Sequence, residues 1–257
     1  MKNILKSILF IGISTSLIYA KGQFAMSDSD RAIYAEMLEN NPADLMIANG
    51  EDLVEEYCMG EEGIANFLKV TEGNLPIYLA GFPRYLAEFK QVVSIEQMLQ
   101  GLMSKHGNKP FKLESPEMFD MDAYVKSIAN DEKVNIDINA NVYMKEAYQL
   151  GKKTYMLARG GRGLSCNSCH SKEVSGQILR TQTLQNITSN DEAISDTWPA
   201  YRMTKSSLAT LQKRMQGCMK NALMKAIPLG SPEMVALEVY ITEKSKGRKI
   251  SIPGLKR

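Results

Sequence analysis

Cys166, Cys169 and His170 are the residues whose types and spacing carry the most specific chemistry in this chain. In Cys166-Asn167-Ser168-Cys169-His170 two intervening residues let one turn present both thiols to one edge of a porphyrin, where they form thioethers to the vinyl groups. The imidazole that follows then falls beneath the iron. A redox disulfide and half of a zinc site are the other uses of this pattern. With 4 Cys and 2 His in the whole chain, a zinc site would have to draw on His106, which sits in the polar run Lys105-His106-Gly107-Asn108. The Gly-rich stretch 159–163 lacks the Lys-Ser/Thr ending of a phosphate-binding loop and reads as a turn leading into the haem-attachment segment.

An iron held by one imidazole has a second axial position, which small electron carriers commonly fill with methionine. Met203, Met215, Met219, Met224 and Met234 follow the motif, and so does Cys218. Arg214 lies four residues before Cys218 on a helix predicted over about 206–226, so the two side chains share a face. A guanidinium beside a thiol favours the thiolate and offers a planar fork to an oxyanion. Thiolate, iron and arginine together describe a site for a sulfur oxyanion. The same spacing equally describes a buried thiol and a solvated guanidinium on an ordinary helix.

The elements that would position these groups are duplicated. A shift of 116 residues lays Pro83 and Tyr85 on Pro199 and Tyr201, Gln100-Gly101 and Met103 on Gln216-Gly217 and Met219, and Ser115-Pro116-Glu117-Met118 on Ser231-Pro232-Glu233-Met234. Tyr124 then falls on Tyr240, Lys133 on Lys249 and Ile136 on Ile252. One ungapped register of this length points to a repeated unit. In the first copy Met98 stands opposite Arg214 and Leu102 opposite Cys218, and no haem-attachment motif is present. The candidate ligand and the haem motif are therefore lost together. Ser115-Pro116 and Ser231-Pro232 read as N-caps followed by proline at the first helical position. Met234, Leu237, Val239, Tyr240 and Ile241 fall largely on one helical stripe. Runs 52–57 and 152–157, after Gly50 and Gly151, continue amphipathic helices, and no strand-like alternation exceeds a few residues. The expectation is a mostly α chain of two tandem cytochrome c-like helical domains, a haem-free one at 21–138 and a haem-binding one at 139–257.

Residues 1–20 hold Lys2 and Lys6, an apolar stretch, Ala20 and no acidic residue, the pattern of a secretory signal peptide cleaved near Ala20. The stretch is short of the roughly 20 apolar residues that a membrane span needs, so no span is expected after cleavage. The full chain carries 31 Lys+Arg against 29 Asp+Glu, a near balance that argues against a nucleic-acid partner. A covalent haem suits export, so the periplasm is the expected location.

These residues resemble the SoxA family, the catalytic cytochrome subunit of the thiosulfate-oxidising SoxAX complex. The resemblance rests on Asn41-Pro42-Ala43-Asp44-Leu45-Met46 with Gly50, Phe82-Pro83-Arg84-Tyr85, the 166–170 motif and Trp198-Pro199-Ala200-Tyr201-Arg202. It continues through Leu211-Gln212-Lys213-Arg214 to Cys218, Gly230-Ser231-Pro232-Glu233 and Ile252-Pro253-Gly254-Leu255-Lys256-Arg257. The resemblance implies one covalently bound haem c with His170 and Cys218 as axial ligands, Cys218 carrying a persulfide or similar adduct during activity, and Arg214 helping to hold thiosulfate. It implies an L-cysteine S-thiosulfotransferase that conjugates thiosulfate to a cysteine of a SoxYZ-type carrier and passes electrons to a SoxX-type cytochrome. Some members bind a second haem in the N-terminal half, but Cys58 has neither the second cysteine nor the histidine that this requires, and it is expected to be a buried thiol. Two rival readings are an electron-transfer cytochrome with His170 and methionine ligation, and a haem sensor or structural subunit.

Overall fold

A computed structural model describes residues 28–179 and 182–256. The expected signal peptide lies outside the described residues. Helices α1 (Asp28–Glu39), α2 (Asp44–Cys58), α3 (Gly60–Leu68) and α4 (Leu75–Leu79) precede a hairpin of β1 (Arg84–Leu86) and β2 (Gln91–Val93). Helices α5 (Ile95–Lys105) and α6 (Pro116–Ser127) follow, then α7 (Val142–Met156), a hairpin of β3 (Ile178–Leu179) and β4 (Gln182–Thr183), and strands β5 (Ala200–Arg202) and β6 (Ser207–Ala209). Helices α8 (Leu211–Asn221) and α9 (Pro232–Lys244) and strand β7 (Gly254–Lys256) complete the order. Among the described residues no helix is long and apolar enough to cross a membrane.

The helix starts follow from their caps. Ser115 and Ser231 accept hydrogen bonds from the Met118 and Met234 amides, each ahead of a proline at the first helical turn. Ser94 opens α5 in a capping box with Gln97, and Thr210 opens α8 by accepting from the Lys213 amide. The 116-residue shift maps these caps onto one another. It also maps the strand registers: Leu86 pairs with Gln91 as Arg202 pairs with Ser207. Strand β5 is the middle of a three-stranded sheet, antiparallel to β6 and parallel to β7.

Two helix crossings are set by glycine. A Cβ on Gly50 of α2 would stand 2.1 Å from the Asp120 carbonyl oxygen on α6, and one on Gly151 of α7 would stand 1.9 Å from the Ala236 carbonyl oxygen on α9. Neither position admits a side chain without parting the helices. Asp120 and Ala236 are themselves 116 residues apart.

Helix α8 is shorter than expected. Residues 207–209 are strand β6, and the helix starts only at Leu211 behind its Thr210 cap. It ends in a Schellman turn, the Leu223 amide bonding to the Lys220 carbonyl and the Met224 amide to the Met219 carbonyl, with Leu223 at φ 57°. Helix α9 also departs from the single apolar stripe, because Met234, Val235, Ala236, Leu237, Val239, Tyr240, Ile241 and Thr242 are all buried. It lies between two apolar clusters: Val239 belongs to the one built on α2, α5 and α6, whereas Met234, Leu237, Tyr240 and Ile241 belong to the one around Tyr155, Trp198 and Met215. A third cluster joins Ala43 and Ala123 to Tyr201, Leu208 and Leu255, so α6 packs on the sheet of the second half.

Polar residues are buried where the halves meet. Glu96, Asp122, Lys126 and Gln212 are each less than a tenth exposed, and Gln212 Nε2 donates to Glu238 Oε2 at 2.7 Å. Burial raises the Asp122 and Glu238 carboxyls above the usual range, with Glu96 adding to both, and lowers the Lys126 ammonium.

Candidate haem and sulfur site

The attachment motif sits on a turn pinned to the end of α7. Tyr155, fully buried, donates its hydroxyl to the His170 carbonyl at 2.7 Å, and the Asn167 amide returns to the Tyr155 carbonyl at 3.3 Å. Ser165 and Ser168 exchange hydrogen bonds, and the Cys169 and His170 amides both bond to the Cys166 carbonyl. This is one turn of chain, which brings Cys166, Cys169 and His170 onto a common side. Ahead of it, the Gly-rich stretch is a turn closed by the pairing of Arg159 with Leu164, and Arg159 forms an ion pair with Glu233 of α9. Gly160, at φ 72°, packs against the backbone of Leu223 to Lys225 just beyond α8.

His170 Nδ1 lies 2.9 Å from the Gln185 carbonyl oxygen. A carbonyl only accepts, so Nδ1 carries the proton and Nε2 presents a lone pair, the arrangement found in metal-ligating histidines. Burial is the main cause holding the imidazole below its ordinary pKa, with the Arg214 charge adding to it and the Gln185 carbonyl opposing it. The loop that supplies Gln185 is fixed by Glu192, whose Oε2 accepts from the Ser175 hydroxyl at 2.6 Å and from the Asn186 amide at 2.7 Å.

Helix α8 supplies the facing groups. Leu211, Gln212, Met215, Gln216 and Met219 are buried against the core, which leaves Arg214, Gly217 and Cys218 on the half-exposed side. A Cβ on Gly217 would meet no atom within 4 Å, so this face borders open space. The Cys218 sulfur is close enough to act on both motif thiols. Burial pushes Cys166 up to about 11 and raises Cys169, and in each the Cys218 sulfur is the next cause. The turn and α8 therefore bring Cys166, Cys169, His170, Cys218 and Arg214 together around one space. Of the methionines that follow the motif, Met215, Met219 and Met234 are buried in the apolar cluster against which both Met224 and Cys166 pack, and Met203 packs on the third cluster.

No family model matches the chain. The L-cysteine S-thiosulfotransferase subunit SoxA of Hydrogenophilus thermoluteolus is 31% identical over 86% of this chain and 85% of its own length. The chain belongs to the SoxA family. The SoxA of Allochromatium vinosum is 26% identical over 93% of this chain and 82% of its own length. The crystal structure of SoxXA from P. pantotrophus matches with a TM-score of 0.70 at 20% identity, covering 84% of this chain and 79% of that one. The mostly α, cytochrome-like architecture is thus shared with this SoxA relative.

The donor set of this SoxA-family chain fits a covalent haem: two free thiols on one turn, an imidazole whose Nδ1 is engaged so that Nε2 keeps its lone pair, and a nearby helix face that borders open space at Gly217. Cys58 is fully buried in the apolar core and its thiol is pushed up to about 12 by burial, in keeping with an inert role. His106 is exposed at the end of α5. Sequence reasoning missed Tyr155, the Gln185 carbonyl and the Arg159–Glu233 pair. None of these has a local spacing signal, because each acts through a contact made by the fold.

Proposed function

We propose that this chain joins thiosulfate to a cysteine of a carrier protein, as the names of its SoxA relatives describe. The observation that carries the reading is the convergence of the Cys218 sulfur and the Arg214 guanidinium on the space beside the Cys166-Cys169-His170 turn. Written as a balance, a carrier thiolate and thiosulfate form a carrier S–S–SO3 group and release two electrons. Cys166 and Cys169 would hold one haem c through thioethers, with His170 Nε2 and the Cys218 sulfur as the candidate ligands of its iron. When bound, that haem would supply a one-electron acceptor, so a second haem on a SoxX-type partner would take the other electron of the pair.

The chain's own residues do the rest. Tyr155 and the Gln185 carbonyl hold the imidazole in one orientation and one tautomer. Arg214 orients the oxyanion end of thiosulfate with its planar fork. The Cys218 sulfur, four residues on along the same helix face, would bond to the sulfane sulfur with its SO3 group still attached as the two electrons are given up, and the thiolate of a SoxYZ-type carrier would then attack that sulfane sulfur and release Cys218 as a thiolate. The reading divides the chain into a haem-free unit at 21–138 and a haem-binding unit at 139–257, exported to the periplasm after cleavage near Ala20.

The test is intact-mass analysis of the exported chain, followed by turnover of the complex with its partner cytochrome, thiosulfate and a carrier cysteine. One haem on the mature chain, haem reduction dependent on thiosulfate and carrier, and a thiosulfonate adduct on the carrier are expected. Full turnover by Cys218→Ser would overturn the assignment of that sulfur, and reduction without any carrier adduct would leave only an electron carrier.

A further inference from the structure

Arg202 is a buried cation with no carboxylate partner among the described residues. It is the last residue of β5, its side chain is among the buried set at 8% exposure, and its Nε has no hydrogen-bond partner. Among the described residues no acidic side chain forms an ion pair with it. Burying a guanidinium in this way is unfavourable unless an anion compensates. Its charged neighbours identify where that anion would sit: after burial, the Arg214 guanidinium is the next cause lowering Arg202, to about 10, and the Cys218 sulfur opposes it. Arg202, Arg214 and Cys218 thus share one neighbourhood, two cations and a sulfur, with no acidic side chain among the described residues paired to Arg202.

The repeat provides an internal control. Leu86 stands 116 residues before Arg202, at the same register of the equivalent hairpin, and is buried at 5% exposure. The strand and its packing therefore accept an apolar side chain at this place. Arg214 and Cys218 are matched by Met98 and Leu102, both fully buried. All three groups are apolar in the half without a haem motif and polar in the half that has one. The fold needs none of them; the site accounts for all three.

We propose that Arg202 is the second guanidinium of the thiosulfate site, holding the sulfonate oxygens from β5 while Arg214 holds them from α8, beside the Cys218 sulfur. This rests on the function proposed above and deepens it. A tetrahedral dianion presents three oxygens, so two forks approaching from different elements fix its orientation, where one fork would leave it free to pivot. The site is thereby specific for a small oxyanion with one protruding sulfur and unsuited to neutral or monocarboxylate ligands.

The experiment uses the haem-loaded complex with its partner cytochrome and thiosulfate alone as the binding probe, followed by calorimetry, with turnover measured separately after addition of carrier. Arg202→Leu, the residue that the repeat itself uses, is expected to raise the thiosulfate dissociation constant and KM roughly ten- to hundred-fold, the loss typical of a charge-assisted hydrogen-bond pair. Haem content, visible spectrum and reduction potential stay parental. Arg202→Lys keeps the charge without the fork and is expected to recover part of the loss. A parental dissociation constant in Arg202→Leu overturns the proposal, and a shifted haem potential with parental thiosulfate binding assigns Arg202 to a haem carboxylate instead. Should Arg202→Leu fail to fold, Arg202→Lys decides: a several-fold higher KM supports the clamp and a parental KM overturns it. A parent complex that neither binds nor turns over thiosulfate overturns the functional reading itself, whereas an active parent with unaffected variants overturns only the role of Arg202.

Discussion

Gly151→Ala puts the link between helix packing and the haem site under direct strain. The new Cβ would lie 1.9 Å from the Ala236 carbonyl oxygen and 2.8 Å from the Tyr240 Cβ, whereas real contacts of this kind hardly go below 3.0 Å. Backbone faces it on the far side, so no side chain can swing away, and α7 and α9 must part by about 1 Å. Overpacking of a rigid core costs about 1–3 kcal/mol and occasionally more. With both helices buried at the crossing, the upper end applies: a loss of about 3 kcal/mol, more than a hundred-fold in the folding constant. Urea unfolding of the haem-loaded mature chain, followed by far-ultraviolet circular dichroism and by haem absorbance, measures it. Tyr155 rides on the same helix and holds the His170 carbonyl, so the haem band should broaden or shift in the folded variant. Gly161→Ala is the control, since nothing lies within 4 Å of its Cβ position, and a change within about 0.5 kcal/mol is expected there. A loss below about 1 kcal/mol for Gly151→Ala, or an equal loss for Gly161→Ala, refutes the argument that the close crossing is what requires glycine.

Cys218→Ser should retain haem attachment, which depends on Cys166 and Cys169, yet lose thiosulfate turnover and the low-spin thiolate signature in electron paramagnetic resonance; a parental spectrum would remove Cys218 from the iron. Tyr155→Phe deletes a 2.7 Å hydrogen bond to the His170 carbonyl, so stability is expected to fall by about 1–2 kcal/mol, and a reduction potential unmoved by the change would mean that Tyr155 does not orient the imidazole. Glu238 titrates in the folded chain at about 8 instead of 4.5, because burial and then Glu96 disfavour its charge. Its folded state holds the proton more tightly than the unfolded one, so stability should decline as pH rises from about 4.5 towards 8 and level off above, by linkage. Glu238→Gln should flatten that decline, and an unchanged pH profile of the urea midpoint would count against it. Leu223 occupies a left-handed position at φ 57° and is 61% exposed; Leu223→Gly should stabilise by about 1 kcal/mol, and a lower midpoint would mean that the leucine is packed in the assembled complex.

The haem-attachment turn, the serine and proline caps of α6 and α9, and the 116-residue repeat are local or self-similar patterns, and the amino-acid sequence determines them by itself. The placement of Arg214 and Cys218 on one helix face was legible for the same reason: they are four residues apart, and the first copy replaces both with apolar residues. What only the tertiary structure decided is which distant groups meet. The true start of α8 behind Thr210, the Gln185 carbonyl that fixes the His170 tautomer and the Tyr155 hydroxyl beneath the motif depend on contacts between elements that no spacing encodes. Arg202 belongs with them. In the sequence it is one residue of a Trp-Pro-Ala-Tyr-Arg run, and only the folded chain turns it into a buried charge within electrostatic reach of Arg214 and Cys218, because burial and the search for a counter-ion are properties of three-dimensional packing.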